Sequence, residues 1–246
     1  MDMKEYLFVG IRFIDCSIDK ILFKLRHGGL VVVPAAPSLV TFDRDKKYHQ
    51  ALKDADIAIF DSGFFCILVR IFHGIKVKKF SGLEFLKNLI SHCSDNAEET
   101  VFLVNPTEDE ADKNKIYLES KNVSIKGDYI APMYGDNIKD QNLVKLIKEN
   151  KPKYVIINLG GGVQEVLGAF IKKETENCAC RPIIICTGAA IAFLTGAQAR
   201  IPTLIDRIYL GWLARCISNP KVFVPRYLGG VNLIWLVMKN KIREIS

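Results

Sequence analysis

Short runs of β-branched and apolar residues recur along the first 190 positions, at 6–13, 30–33, 57–60, 101–104, 123–126, 154–159 and 183–186. Each is bounded by Gly, Pro or polar residues and reads as a strand, most of them buried on both faces. Between them lie segments that read as helices: 17–26 with Ser17 as N-cap, then 43–54, 64–72, 83–90, 105–120, 139–149 and 163–173. Residues 34–38 and 128–136 read as loops. Strands alternating with helices predict an α/β fold, a Rossmann-like, doubly wound, mostly parallel sheet.

After Gly196 the pattern changes. Residues 202–217, 220–227 and 231–245 read as helices, with no further strand. This predicts a core over 1–196 and a C-terminal helical appendage over 197–246. The appendage carries eight Lys and Arg against Asp206 and Glu244, nearly the whole net charge of +7. Tyr209, Trp212, Phe223, Tyr227 and Trp235 are interleaved with that charge. Basic residues among interfacial aromatics suit an anionic membrane surface, and a solvated helical face is the competing reading. The apolar run at 228–238 is too short to span a bilayer.

With 246 residues, 49% hydrophobic and 25% charged, the composition is that of a globular protein. A sequence pI near 9.0 suits anionic partners. The seven cysteines form no CxxC pair and read as reduced thiols. The four histidines lack metal-ligand spacing. The charged first residues run straight into a strand-like segment and do not read as a secretory leader.

The central stretch is 153–170, KYVIINLGGGVQEVLGAF. Gly160, Gly161 and Gly162 allow a sharp turn and close approach to another group. Gln164 and Glu165 then fall in the first turn of a helix, facing the crevice at the strand's carboxyl end where open α/β sheets bind ligands. A plain strand–turn–helix connection explains the same residues. Asp61 directly follows the strand at 57–60, in the turn Asp61-Ser62-Gly63. It is a candidate general base toward a hydroxyl, or else an N-cap for the next helix. Lys76, Lys78 and Lys79 precede a helix start at Ser81 and offer charge to a phosphate, or form a solvated loop. Arg207 and Arg215, eight residues apart, fall near one face of a helix and suit a pyrophosphate or a phospholipid. Acidic Glu108-Asp109-Glu110 suits a helix N-terminus rather than a metal site.

Taken together, ADIAIFDSG, KKFSGLEFL, LGGGVQE, TGAAIAFLTGAQARIP and RIYLGWLARCISNPKVFVPRY resemble, in order and spacing, the motifs of the WecG/TagA/CpsF glycosyltransferases. The resemblance covers about residues 9–227 and implies a metal-independent, inverting transferase without a cofactor. Its donor would be a UDP-sugar, N-acetylmannosamine or a relative. Its acceptor would be a polyprenyl-diphosphate-linked saccharide at the cytoplasmic face of the bacterial membrane, feeding cell-surface polysaccharide. The resemblance further implies Asp61 as general base and Gln164, Glu165 and Gly160 along the sugar. It implies Lys79, where the family usually has Arg, and the appendage residues Arg207, Arg215 and Arg226 near the diphosphate. A homo-oligomer or an assembly partner is compatible with it, and nucleic acid is the weaker partner for the basic tail.

The chain also departs from the family pattern. Val33-Pro34-Ala35 stands where the family has T-x-N, Gly162 replaces a Pro, Ala192 and Glu84 replace Asp, and Gly211 replaces Glu. Val33, Ala35 and Ala192 favour a second reading, a member that has lost turnover and serves as a binding subunit of a polysaccharide-assembly complex; Asp61 and Gln164 oppose it.

Overall fold

The structure is a computed structural model and describes residues 3–40, 45–179, 181–196 and 230–245. Strands β1 (Lys4–Phe8) and β2 (Ile11–Asp15) open the chain. Helix α1 (Ile18–Lys24) leads to β3 (Gly29–Val32), and α2 (Ala36–Leu39) and α3 (Lys46–Asp54) lead to β4 (Ile57–Ile59). Helices α4 (Gly63–His73) and α5 (Gly82–Ser94) precede β5 (Val101–Asn105). Then come α6 (Glu108–Glu119), β6 (Ile125–Ile130), α7 (Gln141–Asn150), β7 (Tyr154–Ile157), α8 (Val163–Glu174), β8 (Ile183–Cys186) and α9 (Ala190–Leu194). Helix α10 (Gly230–Lys239) and β9 (Arg243–Glu244) close the described chain.

The strands form one sheet in the order β6-β5-β7-β8-β3-β4-β2-β1-β9. All pairings from β6 to β2 are parallel, and β2–β1 and β1–β9 are antiparallel. Side chains alternate between two cores, as the two-residue strand period requires. In β8, Ile184 and Cys186 enter one core, while Ile183 and Ile185 enter the other. Helices α2, α3, α4, α7, α8 and α10 cover the first core; α1, α5, α6 and α9 cover the second. All four residues of β8 are at most 1% exposed. Burial of each large aliphatic side chain contributes about 1.5–3 kcal/mol relative to exposure. This is the doubly wound α/β sheet predicted from the alternation of runs.

The topology fixes where a ligand crevice lies. The chain leaves β3 toward β4 on one side, while β8, β7, β5 and β6 fill the other side. The carboxyl ends of β3 and β8 therefore flank a topological switch point. Helix α8 lies tightly on those two strands. A Cβ at Gly168 would stand 2.9 Å from both Cys186 Sγ and Leu30 Cδ1, so glycine permits the approach.

Several boundaries differ from expectation. The run 6–13 is two strands of a hairpin, turned at Val9 (φ 46°) and Gly10 (φ 83°). Positive φ at both turn residues matches the twist of the flanking strands, but a valine there gives no sequence signal. The final segment is not one helix over 231–245. Helix α10 stops at Lys239, and β9 pairs Glu244 with Tyr6 and Arg243 with Leu7. Asn105 ends β5 instead of starting α6, whose N-cap is Thr107 through its Oγ1. Strand β6 runs through Ile130, into residues expected to be loop, and α2 starts inside the expected 34–38 loop and runs one residue past it. The helices expected at 202–217 and 220–227 lie outside the described residues.

Candidate functional site

The carboxyl ends of β4, β3, β8 and β7 bring together the segments that sequence reasoning selected. Asp61 follows β4 in a tight turn closed by its N–H to the Ile59 carbonyl (3.0 Å). It is half-buried, and its Oδ1 accepts the Gly82 N–H at 2.9 Å. Of the two roles read for Asp61, the cap of the following helix is taken by its neighbour. Ser62 Oγ caps α4 by accepting the Phe65 N–H. The Asp61 carboxylate instead meets the first N–H of α5, where the helix dipole is positive. Ser81 Oγ caps that helix through the Glu84 N–H.

Gly82 joins this carboxylate to the switch point. A Cβ there would lie 3.2 Å from Val33 Cγ1 and 3.6 Å from the Thr187 carbonyl. Val33 follows β3 and Thr187 follows β8. The next residue, Gly188 (φ 62°), donates its N–H to Gln164 Oε1 at 2.8 Å. Gln164 Nε2 donates to Glu165 Oε1 at 2.9 Å, and Glu165 Oε2 accepts the Gly162 N–H at 2.7 Å. One continuous line of contacts therefore runs from Asp61 to the triple-glycine turn.

Gln164 and Glu165 do not face the crevice in the way the sequence suggests. They are only 3% and 1% exposed. Glu165 curls back over the N-terminus of its own helix, and Gln164 ties the turn after β7 to the turn after β8. Burial pushes the Glu165 carboxyl above its ordinary range, against the lowering effect of the Gln164 amide and the Gly162 N–H. The exposed part of the motif is backbone. Gly160 and Gly161 are exposed, and a Cβ at Gly160 would meet nothing within 4 Å.

Lys79 enters the site from the segment between α4 and α5. Its charge and that of Asp61 both act on the buried Cys66 thiol of α4, which burial pushes up to about 12. Sequence reasoning passed over Asp15. This carboxylate ends β2, is 4% exposed, and accepts the Lys78 N–H at 3.0 Å. A carboxylate closing an apolar strand was the available signal. Arg207, Arg215 and Arg226 lie outside the described residues. Among the described residues no three His, Cys, Asp or Glu side chains converge as a metal site.

The departures from the family pattern also have places. Val33 is core, Ala35 precedes α2 without a side-chain cap, and Ala192 is buried in α9. Polar side chains at these positions would border the same carboxyl edge.

The sequence model described as "Glycosyl transferase WecG/TagA/CpsF family" matches residues 7–246. Curated relatives include proteins named N-acetylglucosaminyldiphosphoundecaprenol N-acetyl-beta-D-mannosaminyltransferase from Staphylococcus aureus strains MW2 and NCTC 8325. Each is 21% identical over 197 residues, covering 78% of this chain and 73% of the relative. The span matched by the family model begins within β1 and takes in Asp61 and the Gly160–Glu165 turn. The chain belongs to the WecG/TagA/CpsF family of glycosyltransferases.

Proposed function

We propose that the protein transfers a hexosamine, N-acetylmannosamine or a close relative, from a UDP-sugar to a polyprenyl-diphosphate-linked saccharide. The observation that carries this reading is Asp61, a half-buried carboxylate at the switch-point edge held by the Gly82 N–H. In the reaction the acceptor hydroxyl attacks the anomeric carbon and gives its proton to Asp61. A new C–O bond forms, the bond from that carbon to the diphosphate oxygen breaks, and UDP departs with the electron pair. The configuration at that carbon inverts. Lys79 supplies positive charge to the leaving diphosphate, and Arg207, Arg215 and Arg226 of the C-terminal segment add to it. The open backbone of Gly160 and Gly161 forms the sugar wall. Gln164 and Glu165 set the wall's shape from beneath. The relatives' names, with their diphosphoundecaprenol acceptor and mannosaminyl group, support the substrate class.

The acceptor places the enzyme at a membrane surface, on its cytoplasmic side, where nucleotide sugars are made. No helix of the described residues is long and apolar enough to cross a membrane. A surface suited to lying on one is present where α4 and α10 pack together, joined by His73 Nε2 and the Val237 carbonyl at 2.8 Å. Ile71, Phe72, Trp235 and Met238 are exposed there, and the Lys239 ammonium sits 4.3 Å over the Trp235 ring. Apolar anchors with adjacent cations match an anionic lipid interface.

Val33, Ala35 and Ala192 favour a second reading, a binding subunit without turnover. Measuring UDP release with a lipid-diphosphate N-acetylglucosamine acceptor, across several UDP-sugars, separates the two. Release with one donor supports the transferase. No release with any donor, despite lipid-diphosphate binding, supports the binding subunit.

A further inference from the structure

The segment between α4 and α5 forms a strap over the carboxyl edge of the sheet. It leaves α4, packed in one core, and enters α5, packed in the other. Three alternate N–H groups, two in the strap and the third at the first residue of α5, bond to that edge. Lys78 donates to Asp15 Oδ2 at 3.0 Å, Phe80 to the Phe60 carbonyl at 2.9 Å, and Gly82 to Asp61 Oδ1 at 2.9 Å. In extended backbone, alternate N–H groups share a direction and successive side chains point to opposite sides. The surroundings follow that rule. Lys78 lines a cleft of about 470 Å³ with Ser17 and Glu84. The Lys79 charge acts instead on Cys66 of α4, as the Asp61 charge does.

Asp15 is the least expected of the three anchors. Two are a main-chain carbonyl and the proposed base, but Asp15 is a carboxylate only 4% exposed. Burial raises its pKa, and the Lys78 N–H and the charges of Lys78 and Lys4 act the other way. A buried carboxylate is costly unless its hydrogen bonds are made. It accepts a hydrogen bond from the middle of the strap, one residue before Lys79.

We propose that Asp15 is a positioning residue: its buried carboxylate pins the strap at Lys78 and so fixes Lys79 beside Asp61. This rests on the transferase reading for its catalytic consequence. The pinning itself does not. Without that anchor the strap loses its hold at Lys78 while the bonds at Phe80 and Gly82 remain, and Lys79 loses its fixed distance from the reacting diphosphate. Asn at position 15 retains an oxygen able to accept the Lys78 N–H; Ala retains none.

The test compares the full-length wild type, Asp15→Ala and Asp15→Asn in two measurements. Amide hydrogen exchange reads the strap, and steady-state kinetics reads the donor KM and kcat separately. Asp15→Ala should speed exchange at Lys78 roughly tenfold, the order expected for one lost charge-assisted hydrogen bond, and raise the donor KM by a similar factor. Asp15→Asn should restore both to within about threefold of wild type, the residue of a neutral bond replacing a charged one. Asp15→Ser, too short to reach the Lys78 N–H, replaces Asp15→Ala if that variant does not fold. Unchanged exchange and kinetics in Asp15→Ala would overturn the proposal. Equal damage in the Asn and Ala variants would also overturn it, since charge rather than position would then matter. A wild type with no transfer activity would refute the transferase reading alone, and the exchange data would still decide the strap.

Discussion

Replacing Glu165 by Gln tests whether the triple-glycine turn is held from beneath. The wild-type carboxylate accepts from Gly162 N–H at 2.7 Å and from Gln164 Nε2 at 2.9 Å. A glutamine amide has one oxygen, so one donor keeps its acceptor and the other faces an NH₂ group. Hydrogen bonds to charged groups contribute about 1.5–3 kcal/mol, and an unsatisfied buried donor costs about 1–3 kcal/mol. Removing a charge that is 1% exposed offsets part of this. The expected net loss is about 2 kcal/mol, or roughly 4–8 °C in Tm for a chain of this size. The pH dependence supplies a second check. The folded carboxyl has its pKa raised above the unfolded value. Its contribution to stability is therefore fully present below the unfolded pKa and is lost as pH rises through the folded one. Gln has no such dependence, so the stability gap between wild type and variant should be wider in mild acid than at neutral pH. Urea denaturation at several pH values measures both. A variant as stable as wild type at neutral pH, with a gap that does not change with pH, would refute this account of the turn.

Two further outcomes follow from the described contacts. Thr187 Oγ1 is buried without a hydrogen-bond partner, so Thr187→Val, which keeps the shape, should raise stability by about 1 kcal/mol in denaturation experiments; a loss would show that the hydroxyl is satisfied in solution. Ile71→Glu combined with Trp235→Glu should weaken binding to vesicles containing anionic lipid at least tenfold in sedimentation, since each charge at an apolar interface costs on the order of 1 kcal/mol or more. Unchanged vesicle binding would remove the α4–α10 face from membrane contact.

The sheet was legible in the sequence where burial is complete. Residues 183–186 are matched by β8, and the runs at 30–33, 57–60 and 101–104 are matched to within a residue at each end by β3, β4 and β5. Continuous apolar runs buried on both faces leave little ambiguity. The hairpin at Val9-Gly10 and the pairing of β9 with β1 were not legible. The first depends on a valine in left-handed backbone, and the second on a partner more than 230 residues away. At the site, Asp61 and the glycine turn could be placed at the carboxyl edge because strand ends are readable. Side-chain direction was not readable. Nothing in LGGGVQE says that Gln164 and Glu165 turn inward to satisfy Gly188 and Gly162, because the Gly188 N–H comes from a turn 24 residues further on. Asp15 was passed over for the same reason, since its partner Lys78 lies 63 residues away.

The central claim is that Asp61 removes the acceptor proton in sugar transfer. It is tested most directly by measuring UDP release with a UDP-sugar and a lipid-diphosphate acceptor for wild type and Asp61→Asn. The asparagine keeps an oxygen for the Gly82 N–H, so folding and vesicle binding should be retained while transfer falls by about 10²–10⁴-fold. Wild-type turnover in Asp61→Asn would contradict the account.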